Sequence, residues 1–285
     1  MHKNLGARRL IVDADDFGIS PGVNKGIIEA HTSGVVTSAS LMVNLPAAKE
    51  AAAMAQAYPG LEVGLHLNLT CGTPLTSARA LKRKQGDFLT PAILFSRLFT
   101  SATARKQAAA EISAQVEAYL NLGLPLSHLC GHHHIHVHPM LAPVVAKLAS
   151  MHGVPVRLPI EPRLPKPWQS RAVMALAIHG LALKASACFR HRAIARPAYF
   201  VGHLLRGRTF STANVLSAVR AIPHGTSELM CHPGYGDSGL GRLTSLTAER
   251  VYELETLTDP RLREGLLDLG IELGRWHDLC QPRTL

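Results

Sequence analysis

The chain has 285 residues, a formal net charge of +10 at pH 7, 47% hydrophobic residues and 18% charged residues. This balance supports a sizeable core and excludes an intrinsically disordered chain. Only 5% of the residues are aromatic, and no helix-turn-helix, stacking or zinc-finger pattern accompanies the positive charge, so nucleic acid is not expected as a partner.

The five cysteines are scattered and form no Cys-x-x-Cys pair. This usage is typical of reduced thiols in the cytoplasm and argues against a disulfide framework. The first predicted strand follows the N-terminus too closely to leave room for a signal peptide. No uninterrupted apolar run reaches the ~20 residues of a membrane span, so no spanning helix is expected. The sequence therefore predicts a cytoplasmic globular protein.

Strands and helices alternate along the chain. The predicted strands are 9–14, 37–43, 62–69, 127–136, 154–158, 227–232 and 270–275. The predicted helices are 21–33, 47–58, 103–122, 139–152, 170–187, 211–221 and 247–257. Such alternation is typical of parallel strands joined by right-handed crossovers, and about seven units suit a closed or nearly closed barrel. The fold prediction is an α/β protein with a (β/α) barrel, either distorted or a seven-unit TIM-like barrel, in one domain over 1–285 with insertions near 71–102 and 159–210.

The first predicted strand is a short apolar run that leads into three carboxylates and a glycine. Its end is the carboxyl edge of the sheet, where α/β proteins place their chemistry. On a regular strand Asp13 and Asp15 share one face and Asp16 points the other way, so local geometry does not choose between the pairs. If Asp15 and Asp16 act together, the strand has to end or twist between them.

Two further segments carry histidines in an alternating pattern. In 63–69 His66 and Asn68 share a face opposite leucines. A lone strand histidine is more often a structural core residue, but here the polar face would point into the barrel. The tract 132–138 has five histidines, and on a strand four of them would share one face: His132, His134, His136 and His138. Dense histidine tracts favour metal binding over a surface cluster without a ligand.

A basic segment follows the fifth predicted strand. Residues 166–208 contain eight Lys or Arg and no Asp or Glu, with apolar residues at helical spacing. Such a segment is a candidate for contact with a membrane surface or an anionic ligand. An ordinary amphipathic helix that packs its apolar face on the core is the favoured alternative.

Five motifs in order resemble the YdjC/ChbG family of carbohydrate deacetylases, and the similarity runs through almost the whole chain. They lie in residues 15–24, 37–44, 64–70, 131–136 and 231–235. Residues 196–202 and the basic segment resemble the hopanoid-biosynthesis-associated branch of that family. The resemblance implies a (β/α) barrel, one divalent metal ion and removal of the N-acetyl group from an amino sugar.

The resemblance also implies roles for single residues. Asp16, His66 and His132 would hold the metal ion, although His134 and His136 are equally available by spacing. Asp15 would be the general base. His232, which lies between a strand-like run and a turn, would be the general acid, with a structural turn histidine as the alternative. Arg157 would pair with Asp15 and keep it ionised, with a surface arginine as the equally favoured alternative.

The identity of the ion and of the substrate stays open at this level. The resemblance favours Mg²⁺, with Zn²⁺ or another transition metal as alternatives. The substrate is an N-acetylated amino sugar, either an N-acetylglucosamine carried on a hopanoid lipid or a soluble chitooligosaccharide. A lipid-linked substrate implies peripheral membrane contact at the inner face, and a homodimer is left open.

The chain departs from the family at Cys130, where the family usually has Asp. Cys130 would lie on the same strand face as His132 and near the metal. If the family's Asp orients a ligand histidine, a thiol would do so poorly. A nucleophilic role for Cys130 is remote, because amide hydrolysis at a metal needs no covalent intermediate.

Two other classes of protein fit part of the pattern. A metallophosphoesterase commonly holds two metals with more carboxylates than the three found near the N-terminus. A non-catalytic metal-binding protein would explain the histidines but not the ordered carboxylate loop or His232. The sequence therefore favours a carbohydrate N-deacetylase.

Overall fold

The computed structural model describes residues 7–161 and 172–280. Seven strands form one curled sheet: β1 (Arg8–Phe17), β2 (Ser38–Leu41), β3 (Glu62–Leu67), β4 (Leu129–Gly131), β5 (Phe200–Val201), β6 (Gly225–Cys231) and β7 (Ile271–Leu273). The first helices are α1 (Pro21–Thr32), α2 (Ala48–Ala57), α3 (Pro91–Thr100), α4 (Ala102–Leu120) and α5 (Ala142–His152). The others are α6 (Ala172–His191), α7 (Thr212–Val219), α8 (Leu240–Leu243), α9 (Glu249–Thr258) and α10 (Pro260–Asp268).

The sheet is parallel throughout and has β1 at its centre. The strand order is β4-β3-β2-β1-β6-β5, and β7 pairs with the beginning of β1. From Leu10 onwards β1 is fully buried. Leu10, Val12 and Ala14 belong to the main hydrophobic core, so strand alternation turns Asp13 and Asp15 to the other face of the sheet.

The α/β class with parallel strands is confirmed, while the closed barrel stays a prediction. The edge strands β4 and β5 are linked through residues 155–160 by a few backbone hydrogen bonds. Leu129 N donates to Pro155 O and Arg157 N donates to Leu129 O, each at 3.0 Å, and Phe200 N donates to Ile160 O at 3.2 Å. The predicted strand 154–158 is thus reduced to an isolated bridge at Val156.

The histidine tract was predicted as a strand, and this is wrong. β4 ends at Gly131, and His132–Val137 forms tight 3₁₀ turns in which His133 and His134 have φ values of 52° and 54°. A left-handed backbone breaks strand alternation, so the even-numbered histidines do not share a face.

The two predicted insertions contain regular structure. Residues 71–102 include α3, which the sequence patterns missed. Residues 159–210 include α6, which matches the predicted helix 170–187, and the missed strand β5, with 162–171 outside the described residues. α10 was also missed. Local residues cap two of the helices: Ser20 Oγ accepts from Val23 N at the start of α1, and Gly153 ends α5 with a φ of 66°.

Within the described part of the chain, one helix is long and apolar enough to cross a membrane by length and composition alone. It is the stretch Val173–His191 of α6, of which 33% is buried. The expectation of no such helix is therefore wrong as a statement about composition. A single helix of this kind is weak evidence, because core helices pass the same test.

Candidate active site

The end of β1 is irregular at the place where the sequence required it to be. The register against β2 shifts between Ala14 and Phe17, and Asp16 has a φ of 69°. This left-handed residue brings two adjacent carboxylates to the same ring nitrogen. His66 Nε2 lies 3.9 Å from Asp15 Oδ2 and 3.6 Å from Asp16 Oδ1.

Asp16, His66 and His132 converge at the carboxyl edge of the sheet. One ligand atom from each lies within 4.8 Å of the other two, and all three residues are buried. His132 Nδ1 is 3.1 Å from Asp16 Oδ1, an oxygen that is buried without a hydrogen bond. The three residues predicted to hold a metal ion are therefore brought together by the fold.

The electrostatics of these groups suit a metal ligand set. Burial lowers the pKa of His66 to about 4, so its ring is neutral at neutral pH and keeps a lone pair. Burial alone would raise the pKa of Asp16, but Arg250 and His132 hold it well below its usual range. A carboxylate and two imidazoles, with a carboxylate oxygen that has no hydrogen bond, fit a divalent ion, and this donor set is typical of transition ions.

His134, His136 and His138 contact residues other than Asp16 and His66. The His134 ring packs against His203 with their centroids 4.8 Å apart, and the His136 ring hydrogen-bonds the Arg157 carbonyl through Nε2 at 3.0 Å. His138 Nε2 bonds the Phe95 carbonyl. Among the spacing-equivalent candidates, only His132 meets Asp16 and His66.

Arg157 is fully buried and is not a surface residue. Its guanidinium binds both oxygens of Asp15 at 2.7 Å each, and it also binds Asp13 Oδ2 at 2.7 Å and Glu228 Oε1 at 2.6 Å. The predicted pairing with Asp15 is confirmed. Burial would lower the pKa of Arg157, but Asp15 and Glu228 hold it well above its usual value.

Glu228 on β6 was missed by the sequence analysis as a member of this network. Burial raises its pKa to about 8 despite the neighbouring Arg157, and its Oε2 has no hydrogen bond among the described residues. The available signal was a glutamate within the predicted strand 227–232, directly before Leu229 and Met230.

Cys130 contacts the far side of His66. Its Sγ lies 2.9 Å from His66 Nδ1 and 3.0 Å from Ser40 Oγ, and Ser40 donates to Asp13 Oδ2 at 2.6 Å. When His66 Nδ1 carries the ring hydrogen and donates it to Cys130 Sγ, Nε2 keeps its lone pair. Nε2 is the ring nitrogen that faces Asp16. Burial raises the pKa of Cys130 well above its usual value, so this side chain is a thiol rather than a nucleophilic thiolate.

Gly64 makes room for a second layer under His66. A Cβ at this position would lie 2.3 Å from the His128 ring. That ring stacks on Trp276 and bonds Ser40 Oγ at 3.0 Å. The glycine of this motif is thus explained by packing.

His232 follows directly after β6 and faces the same cavity as Asp15 and Asp16. Its side chain is 17% exposed, and its Nδ1 is 3.7 Å from Glu253 Oε2. Glu253 and Arg250, both on α9, were also missed. The signal was there, since these two charged residues precede Leu254 and Leu257 on the buried face of α9.

The cavity above these residues has a volume of about 730 Å³. We call its polar end the floor: Asp15, Asp16, His66, His132 and His232. We call its apolar walls the rim, which α3 and α6 supply together with nearby loops. The rim includes Pro91, Ala92, Phe95, Met174, Ala175, Ala177, Ile178, Leu181, Leu205, Leu243 and Leu246.

Known proteins similar to this chain include three that carry the name carbohydrate deacetylase. The one from Geobacillus stearothermophilus is 37% identical, over 95% of this chain and 98% of its own length. Those from Brevibacillus brevis and Vibrio parahaemolyticus are 34% and 33% identical, each over 95% of this chain and 99% and 96% of their own lengths. These relatives confirm the predicted enzyme class at the level of a carbohydrate deacetylase.

A crystal structure of an Enterococcus faecalis V583 protein, provisionally described as a cellobiose-phosphate cleavage protein, is similar in fold. It has a TM-score of 0.77 and 25% identity, over 97% of this chain and all of the other. Residues 9–268 match the family described as YdjC-like protein. With near full-length relatives above 30% identity as well, the chain belongs to the YdjC-like family.

Proposed function

We propose that this protein is a metal-dependent carbohydrate deacetylase that removes the N-acetyl group from an amino sugar. The observation that carries the proposal is the floor itself, where three residues suited to a divalent ion adjoin Asp15 and face the same cavity as His232. The names of the curated relatives support the carbohydrate part of the proposal.

Asp16, His66 and His132 would hold the ion. When bound, a divalent ion supplies Lewis acidity, which polarises an acetyl carbonyl and makes water more acidic. The protein prepares this site in advance, because Arg250 occupies Asp16 Oδ2 at 2.5 Å and leaves Oδ1 without a hydrogen bond.

Asp15 is the general base of the proposal. Arg157 holds both of its oxygens, which fixes the plane of the carboxylate. Each carboxylate oxygen keeps a second lone pair that can accept a proton from an attacking water. An oriented base of this kind contributes about 10²–10⁴-fold to turnover.

His232 is the general acid that protonates the departing amine. It lines the same cavity as Asp15 from another strand end, so base and acid can act on one bound amide. Without protonation the amine is a poor leaving group, and the tetrahedral adduct would return to substrate.

For the substrate we propose an N-acetylglucosamine carried on a lipid, with a soluble chitooligosaccharide as the alternative. The cavity supports this choice because apolar side chains of the rim line it together with polar residues, an arrangement that suits a substrate with both a sugar and a lipid part. The sequence resemblance to the hopanoid-associated branch supports it independently.

A peripheral contact with the inner face of the membrane belongs to the same proposal. Val173 and Met174 of α6 are 82% and 65% exposed, and Ile93 and Phe99 of α3 are also exposed. Residues 88–110, around α3, contain three basic residues and no Asp or Glu, like the basic segment around α6. Apolar side chains beside basic ones suit an anionic bilayer surface.

The family resemblance and the chemistry of the ligand residues favour different metal ions. The resemblance favours Mg²⁺, but Mg²⁺ prefers oxygen ligands, whereas two imidazoles favour Zn²⁺ or a similar ion. We propose one transition ion for each chain.

The test combines a metal count with an assay of acetate release. The purified protein is analysed for bound metal, stripped with a chelator and reloaded with Zn²⁺, Co²⁺, Mn²⁺ or Mg²⁺. Each form is assayed on N-acetylated sugars, free and lipid-linked, and on matched phosphorylated sugars for phosphate release. Acetate release that returns with one metal equivalent supports the proposal. Phosphate release without acetate would indicate a phosphoesterase, and bound metal with neither product a metal-binding protein.

A further inference from the structure

Helix α9 places two charged side chains in the interior of the protein. Arg250 and Glu253 are both 0% exposed, and a separation of three residues puts them on one face of the helix. Neither residue is among those that line the cavity. Burying a charge is costly unless it is paired, so their partners indicate what these residues do.

Each residue contacts one member of the floor. Arg250 Nη2 donates to Asp16 Oδ2 at 2.5 Å. Glu253 Oε2 accepts from the backbone N–H of His232 at 2.6 Å and lies 3.7 Å from its ring nitrogen Nδ1. One helix therefore reaches both the metal-ligand side and the general-acid side of the proposed reaction.

The same two residues also hold the loops that surround the floor. Arg250 Nε donates to Leu246 O at 2.9 Å, and Leu246 is part of the rim. Glu253 Oε1 accepts from Gly207 N at 3.0 Å, at a turn where glycine has a φ of 55° and which follows the cavity-lining Leu205 and Arg206.

We propose that Arg250 and Glu253 form a positioning pair, in which Arg250 sets which oxygen of Asp16 faces the ligand site and Glu253 sets the ring of His232 for proton donation. The proposal rests on the proposed function. Arg250 occupies Oδ2, so Asp16 offers the site a single oxygen. The carboxylate of Glu253 lies 3.7 Å from Nδ1, beyond hydrogen-bond distance, so it acts on the ring through its charge and through its hydrogen bond to the His232 backbone N–H, and Nε2 serves as the donor.

A purely structural role makes a different prediction. Buried ion pairs also stabilise folds, and breaking one by removing a single partner is destabilising in any protein. A structural role would lower stability and affect all substrates equally. A positioning role acts through His232 and Asp16. Its effect should therefore appear only when a reaction needs proton donation by His232 or when Asp16 binds the metal ion.

The test for Glu253 is a double-mutant cycle in which kcat is measured for hydrolysis of an N-acetylated sugar. We expect Glu253→Gln to lower kcat by about 10–100-fold with little change in KM. In a His232→Ala background the same change should cause no further loss. Glu253→Asp keeps the carboxylate and should recover part of kcat. Equal losses in both backgrounds would overturn the role of Glu253.

A second readout covers the case in which His232→Ala is too slow to measure. An aryl acetate such as 4-nitrophenyl acetate releases a phenolate that leaves without protonation. Glu253→Gln should therefore leave the ester rate close to that of the wild type, while Asp15→Asn should abolish it and so show that the ester reacts at this site. An equal loss on ester and amide would contradict positioning of the acid.

The test for Arg250 is metal affinity measured by competition with a chromophoric chelator, which needs no substrate. We expect Arg250→Gln to weaken the affinity for the single metal ion by about 10–100-fold. Glu253→Gln should leave this affinity unchanged. The exposed Glu255→Gln on the same helix and the exposed Arg220→Gln are matched controls. Unchanged affinity in Arg250→Gln would overturn its role. A wild-type enzyme that binds metal but releases no acetate would instead contradict the proposed function.

Discussion

The floor and the rim of the cavity are built on opposite principles. On the floor the carboxylates are buried and paired, Asp15 with Arg157 and Asp16 with Arg250. On the rim the side chains are apolar, and residues beside them on α3 and α6 are exposed.

This difference suggests a division of roles, in which the floor carries out the reaction and the rim binds the substrate. Fixed charges in a dry site need no reorganisation when charge develops, which is where electrostatic catalysis gains most. An apolar wall binds a ligand through buried contact area and needs no hydrogen bonds of fixed direction. Changes on the floor should therefore affect turnover, and changes beside the rim should affect where the enzyme binds.

The strongest test of the floor is removal of a proposed metal ligand. His66→Ala and Asp16→Asn should each lose bound metal and acetate release together, to the background level, because three ligands leave little redundancy. Metal content by elemental analysis and acetate release are measured on the same preparation. If either variant keeps a full equivalent of metal, that residue is not a ligand.

The next effect separates base from ligand. Asp15→Asn should keep its metal and lower turnover by about 10²–10⁴-fold, since the amide can still pair with Arg157 but cannot take a proton. The metal count and kcat decide the outcome. Loss of metal would place Asp15 among the ligands and weaken the assignment of Asp16.

Away from the floor, the basic side chains at the end of α6 and in the residues after it provide a graded test. Replacing Arg190, Arg192 and Arg196 by Gln should weaken binding to anionic vesicles by up to about 3 kcal/mol, or ~10²-fold, with about 1 kcal/mol for each residue near the surface. Turnover of a short soluble substrate should stay unchanged.

Vesicle sedimentation at low and high salt measures this effect. Neutral vesicles serve as the lipid control, and Arg220→Gln, which lies in α7's C-cap, is the matched variant. A wild-type protein that stays in solution with anionic vesicles at low salt would show that the basic segment is only a solvated face.

The smallest effect concerns His203, which lines the cavity. Burial lowers its pKa to about 4, against about 6.5 in the unfolded chain. Between these values the unfolded state binds a proton that the folded state does not, so stability falls as the pH falls through this window. His203→Gln should flatten this dependence by at most about 1.4 kcal/mol per pH unit.

Urea unfolding of the metal-free protein at pH 7 and pH 5 gives the two free energies of unfolding. The exposed His191→Gln is the control for loss of a histidine. Parallel pH dependences for His203→Gln and wild type would mean that His203 is protonated in the folded protein.

Much of the fold was accessible from local patterns. β1, β3 and β6 were predicted within a few residues because their apolar runs and turn residues are adjacent in the sequence. α3 and α10 were missed although each begins at a proline, Pro91 and Pro260, which is a helix-start signal. Both lie in segments that the sequence analysis assigned to an insertion or to the stretch after a helix.

The candidate site divides in the same way. The chemical nature of its residues, carboxylates on β1 and an imidazole on β3, was determined by the sequence itself, since the side chain and strand alternation are local properties. Arg250 reaches Asp16 across 234 positions of the chain, a contact that no local pattern encodes. The choice of His132 over His134 and His136 depended on left-handed turns that only packing at the sheet edge stabilises. The sequence thus determined which chemistry was available, and the tertiary structure decided which atoms meet, because convergence depends on contacts between distant segments.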